Sequence, residues 1–116
     1  MGVTGIGGFF FRARDPEALS AWYAENLGVG TGDYGSWEQG AGTSLFLPFD
    51  AATDDIPAGK EWRLNFRVDG LDALKAALEA RGIEVITNPD WDAPGVGRFA
   101  RLHDPEGNSI ELWEPD

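Results

Sequence analysis

The chain of 116 residues has no cysteine and a single histidine, His103. Without cysteine there is no disulfide framework, no thiolate metal site and no cysteine nucleophile. One histidine excludes the paired-histidine metal motifs carried on helices. No apolar run approaches the ~18 residues that span a bilayer. No basic stretch followed by a long apolar one opens the chain, so the expectation is a cytoplasmic protein without a secretory signal. Basic residues are scarce as well: 9 Lys+Arg stand against 20 Asp+Glu, a formal net charge of −11. That balance argues against nucleic acid and anionic membranes as partners, because phosphates are bound by clustered Lys and Arg. It is compatible with a cationic small molecule or simply with solubility. Hydrophobic residues at 42% and aromatics at 12% suffice for a packed core. The length means one domain, or two half-domains sharing a core.

Ile6–Ala13 carries three consecutive phenylalanines and no helical period, the pattern of a strand. Asp15-Pro16-Glu17 predicts a helix start: a capping carboxylate, a proline at the first helical position and an acid at the positive end. Leu19, Trp22, Tyr23 and Leu27 continue as one apolar stripe, and Gly28 closes the helix. Short strands are predicted around Val29–Thr31 and Ser36–Gln39, with a better one at Thr43–Pro48. Phe49–Lys60 reads as a polar loop. The second half repeats the plan with a strand at Glu61–Val68, a helix at Leu71–Arg81 and a strand at Ile83–Thr87. After a loop at Asn88–Gly95 come strands at Gly97–His103 and Asn108–Glu114, joined by the turn Asp104-Pro105-Glu106-Gly107.

The repeat is visible in the residues themselves. A shift of 55 places Phe11-Arg12-Ala13 on Phe66-Arg67-Val68 and Ala18-Leu19 on Ala73-Leu74. A shift of 65 places Gly42–Leu47 on Gly107–Leu112. Two β-α-β-β-β modules explain both. The chain is thus expected to be an α+β protein of one domain, 1–116, with module 1 at 1–50, a linker at 51–60 and module 2 at 61–116.

Asp15–Gly28, with its Trp22-Tyr23 and Leu27-Gly28, and Asp104-Pro105-Glu106-Gly107-Asn108-Ser109-Ile110-Glu111-Leu112 together resemble the vicinal oxygen chelate superfamily. That superfamily includes glyoxalase I, bleomycin resistance proteins and extradiol dioxygenases. The resemblance implies paired modules whose curved mixed sheets enclose a cleft, commonly completed across a homodimer. Enzymes of the family hold a divalent metal with four inward side chains, on the first and last strands of each module. Carried over by spacing, those positions are Gly8, Phe46, Arg63 and Glu111. Only Glu111 can ligate a cation; Gly8 and Phe46 offer no donor, and Arg63 is a permanent cation. The expectation is therefore no metal and no cofactor.

In place of a metal, Arg63 and Glu111 are expected to pair inside the cleft, since each would be costly there alone. Arg63 also has planar donors suited to a ligand carboxylate or enolate oxygen. Alternation puts Asn65 and Arg67 on the side of Arg63, and Ser109 and Trp113 on the side of Glu111. Trp22 belongs to the helix stripe, whereas Trp37, Trp91 and Trp113 are candidates to line the cleft with Asn65, Phe46 and Gly8. Gly30-Thr31-Gly32-Asp33-Tyr34-Gly35 matches G-x-G-x-x-G but follows a helix and does not open one, so it reads as a turn. Asp50, Asp54 and Asp55 lack calcium-loop spacing and read as a solvated acidic loop. Besides a partner-binding or regulatory module with a filled cleft, two functions are open at this point. One is metal-independent binding that sequesters a cationic or aromatic compound, like the bleomycin resistance proteins. The other is a glyoxalase-like lyase or isomerase with Glu111 as base and Arg63 as oxyanion partner.

Overall fold

The computed structural model describes residues 1–116. Helix α1 runs over Pro16–Leu27 and begins as its sequence dictates: the Asp15 carboxylate accepts from the Ala18 amide at 3.1 Å. It ends at Gly28, whose φ of +66° is the left-handed closing conformation. Helix α2, Leu71–Ala80, starts differently. Gly70 supplies no capping side chain, and the Glu114 carboxylate accepts from the Leu71 amide at 3.0 Å instead. Hydrogen bonds from Arg98 and from that amide hold the Glu114 carboxyl below the usual carboxylate range.

Four strands form one mixed sheet: β1 (Leu64–Arg67), β2 (Ile86–Thr87), β3 (Gly97–His103) and β4 (Ser109–Pro115), in the order β1-β4-β3-β2. β1 runs parallel to β4, and the other pairs are antiparallel. With α2 this is one complete β-α-β-β-β module. Its inner face buries Ala100, Leu102, Ile110 and Leu112 completely, against Leu71 and Leu78 of α2 and Leu19 and Tyr23 of α1. Each large apolar side chain so buried contributes roughly 1.5–3 kcal/mol. No helix is long and apolar enough to cross a membrane.

The turn between β3 and β4 fastens α1 to this module. Asp104 is buried and accepts from the Tyr23 hydroxyl at 2.7 Å, the Asn108 side-chain amide at 2.8 Å and the Glu106 and Asn108 backbone amides at 2.9 and 3.0 Å. Burial, then the bond to Asp104, pushes the Tyr23 hydroxyl pKa far above the ordinary tyrosine value. Glu106 accepts from the Arg14 and Asp15 amides at 2.7 and 3.1 Å. At the other end, Arg81 donates to the Glu25 carbonyl at 2.7 Å and to Asn26 Oδ1 at 2.9 Å. The last turn of α1 has no basic residue of its own, so Arg81 supplies the cation its carbonyls favour.

The α+β class is as expected, but the first half corrects the strand assignments. Ile6–Ala13, Val29–Thr31, Ser36–Gln39 and Thr43–Pro48 carry no β-ladder, and after α1 only a short 3-10 turn, Asp33–Gly35, interrupts the irregular chain before β1. The physical reason is the lack of a covering surface. Phe10 and Phe46 are 93% and 86% exposed, and strands are stabilised by packed neighbours more than by intrinsic preference. In the second half, β1 and β2 are shorter than their apolar patterns. Trp62, read as strand, instead packs edge-on against Phe9 and Phe11, with ring centroids 4.9 and 5.2 Å away.

Candidate functional site

The face of the sheet turned away from the helices carries the chemistry. Register places Asn65 opposite Glu111, Arg67 opposite Trp113, Arg101 opposite Glu111 and Phe99 opposite Trp113. Alternation therefore gathers these side chains on one face while Phe66, Ile110 and Leu112 fill the other.

Glu111 sits at the centre. One of its oxygens accepts from the Asn65 side-chain amide and the other from Arg101 Nε, each at 2.9 Å. Arg101 also donates to Asp55 at 3.2 Å, and its guanidinium lies 4.1 Å from the centroid of the Trp91 ring, a cation–π distance. Arg63 donates to the other Asp55 oxygen at 2.9 Å. The expected direct pair is thus corrected: Arg63 and Glu111 are linked through Asp55 and Arg101. Arg101 stands directly across the hairpin from Glu111, whereas the parallel partner of Glu111 on β1 is Asn65 and Arg63 lies two residues before it. Burial alone would raise the Asp55 carboxyl; the guanidinia of Arg63 and then Arg101 outweigh it and hold the carboxyl below the usual range. The Arg63 side chain is only 8% exposed, and its Nε is buried without a hydrogen-bond partner.

The aromatic candidates separate. Trp91 stacks on Arg101. Trp113 lies on the open face, its ring within 9° of parallel to Phe99 and its indole N–H donating to the Val96 carbonyl. Trp37 packs edge-on against Phe66, outside the network. Gly8 and Phe46 lie on the irregular first-half segments and take no part in it. Arg67 donates to the carbonyls of Gly40 and Thr43 and so holds that segment against β1. Gly42 allows this approach, because a Cβ there would stand 2.7 Å from the guanidinium. His103 is exposed at the end of β3. An open depression of roughly 670 Å³, lined by Pro48, Phe49, Asp50, Ala52, Thr53 and Asp55, touches the network at Asp55 alone.

The family-implied metal does not fit these residues. Of Gly8, Phe46, Arg63 and Glu111 only one is a donor, and both its oxygens accept from Arg101 and Asn65. No three His, Cys, Asp or Glu side chains converge anywhere.

Sequence reasoning passes over Arg101 and reads Asp55 only as part of a solvated acidic loop, whereas Asp55 bridges Arg63 and Arg101. Arg101 was within reach: counting outward from the 104–107 turn pairs His103 with Ser109 and then Arg101 with Glu111. Asp55 left no such signal, since its position depends on how a loop of small and polar residues folds back.

A family model for the glyoxalase-like domain matches residues 8–113. The structure is similar to that of TnmS3, an antibiotic binding protein from Streptomyces sp. CB03234. The TM-score is 0.63 at 31% identity, over 100% of this chain and 99% of that one. A glyoxalase/bleomycin resistance protein from the same strain is 33% identical, with a TM-score of 0.51 over 86% of this chain and 91% of that one. The anthracycline biosynthesis protein DnrV of Streptomyces peucetius is 34% identical over 71 residues, 61% of this chain and 26% of DnrV. CFP32 of Mycobacterium tuberculosis (strain CDC 1551 / Oshkosh) is 44% identical over 54 residues, 47% of this chain and 20% of CFP32. The chain therefore matches only a fifth to about a quarter of the length of these two curated relatives.

Proposed function

The chain belongs to the family of glyoxalase-like domains, and we propose that it binds a small aromatic molecule on the open face of its sheet, without a metal. The observation that carries this reading is the Arg101 guanidinium 2.9 Å from Glu111. A fixed cation neutralises the one carboxylate that a metal would use. Trp91, Trp113 and Phe99 add flat apolar surface to the same face, suited to a planar ring. Between the cationic and aromatic ligands that the sequence leaves open, Arg63, Arg67 and Arg101 on this face favour the aromatic one, because they repel a cation. The full-length likeness to an antibiotic binding protein supports holding a compound over transforming it.

Titration with an anthracycline aglycone tests this. Saturable quenching of tryptophan fluorescence and a higher melting temperature are expected, with Trp113→Ala binding about tenfold more weakly, within the range for a stacked aromatic. Stabilisation by zinc, manganese or iron would overturn the metal-free reading. Turnover of the glutathione hemithioacetal of methylglyoxal, abolished in Glu111→Gln, would establish the lyase alternative with Glu111 as base and Arg63 as oxyanion partner.

The same reading includes a homodimer, with the second copy covering the apolar first half. β1 and β2 are open edges of the sheet, and the Leu45–Leu47 and Phe9–Phe11 segments lack ladder partners. Edges and unpaired strands of this kind pair with another chain. The two-module plan, 1–50 and 61–116 around a 51–60 linker, would then be completed between copies. Sedimentation at micromolar concentration is expected to give twice the 12.6 kDa chain mass; a monomer would refute the dimer.

A further inference from the structure

We propose that the Arg63–Arg101 pair is a binding site for an anionic oxygen of the ligand, a carboxylate or ionised phenol on the aromatic ring, and that Asp55 is its tethered competitor. The proposal rests on the aromatic-binding reading above for the ring, and on independent observations for the anion.

Two guanidinia converge on the two oxygens of one carboxylate, at 2.9 Å from Arg63 and 3.2 Å from Arg101. Such a bridged carboxylate is the arrangement by which paired arginines take an acid. The cations belong to the framework. Arg63 is almost fully buried with an unpartnered Nε, and Arg101 is held by Glu111 and Trp91. A chain of net charge −11 nonetheless brings two cations together here. The anion belongs to a loop. Asp55 is 45% exposed, and the other hydrogen bonds of residues 50–55 are local: Ala52 and Thr53 amides to Asp50, and the Asp55 amide to Thr53. The loop is anchored elsewhere only at its far end, where Lys60 donates to Asn108 Oδ1 at 3.2 Å. Asp55 is also the one residue shared by the network and the adjoining open depression. A ligand acid that takes its place frees the loop and joins the depression to the sheet face. The ring is then carried beside Trp91, where Arg101 already stacks.

The test uses the intact chain, Asp55→Ala, and Asp54→Ala as a control in the same loop. Anthraquinone-2-carboxylate and its neutral carboxamide are titrated by tryptophan quenching. Melting temperatures are compared in sodium acetate and in sodium chloride of equal ionic strength. Removing a competitor that fills the site nine-tenths of the time tightens apparent affinity about tenfold. Asp55→Ala is therefore expected to bind the carboxylate about tenfold tighter than the unaltered chain, with carboxamide affinity unchanged. It should melt lower than the unaltered chain in chloride and regain part of the loss in acetate, while Asp54→Ala does neither. Acetate acting alike on both variants overturns the anion site. Unchanged or weaker carboxylate binding in Asp55→Ala, with the carboxamide still bound, overturns the competition and leaves the aromatic reading standing. Selective acetate rescue with neither aromatic probe bound ends the aromatic reading and keeps the anion site.

Discussion

Leu47 and Leu112 hold equivalent places in the repeat, 65 residues apart, and differ completely in what surrounds them. Leu112 is fully buried between β1, β3 and the helices, while Leu47 is 64% exposed. The segments around them share apolar content and turn residues. What separates them is the opposing layer: β4 has a parallel neighbour, an antiparallel neighbour and two helices, whereas 43–48 has none of these. A strand is a statement about neighbours as much as about residues.

Truncating the pair should expose that difference most sharply. Leu112→Ala is expected to cost about 2–5 kcal/mol in urea unfolding, through lost burial and the cavity left behind. Asp104→Ala strikes the joint between the halves. It leaves the Tyr23 hydroxyl and nearby amides without their acceptor, an expected loss of about 2–4 kcal/mol by the same measurement. Tyr23→Phe removes one of those bonds for about 1–2 kcal/mol and changes the alkaline limb. Above the ordinary tyrosine pKa near ~10 the unfolded chain releases this proton while the folded chain keeps it. The Tyr23 contribution is therefore whole below pH ~10 and declines as pH rises beyond it. The substituted chain should lack that decline in pH-dependent unfolding. Asp15→Ala tests whether the first half owns its helix, with an expected loss of about 1 kcal/mol from the missing cap. Leu47→Ala should change chain stability by less than about 0.5 kcal/mol while weakening self-association in sedimentation. A large stability loss from Leu47→Ala would erase the contrast.

Local chemistry was legible where it is self-contained. The carboxylate and proline of Asp15-Pro16, the closing Gly28 and the 104–107 turn each carry their instruction within a few residues, and all three appear as read. Alternation likewise puts Asn65 and Arg67 on one face of β1, and Trp113 with Glu111 on one face of β4, because a period of two leaves only one choice once the core face is known. The register that joins the two sets comes from the structure. The start of α2 was hidden, because its capping carboxylate, Glu114, comes from a strand 43 residues away. The ion-pair pattern was hidden for the same reason. Arg63 found Asp55 on a returning loop, and Glu111 found Arg101 across a hairpin. A lone carboxylate among several cations takes the partner that register brings closest, and register lies beyond any one segment.

Both ends of α1 are tied to the second half, by Glu106 at its start and Arg81 at its end. The first half is consequently no separable piece but two flaps hung on a fixed post. If copies trade segments, residues 1–13 swing about Arg14 and residues 29–50 about Gly28, and the helix between stays with its own chain. Grafts and chain breaks belong in those flaps; the post is where the molecule would come apart.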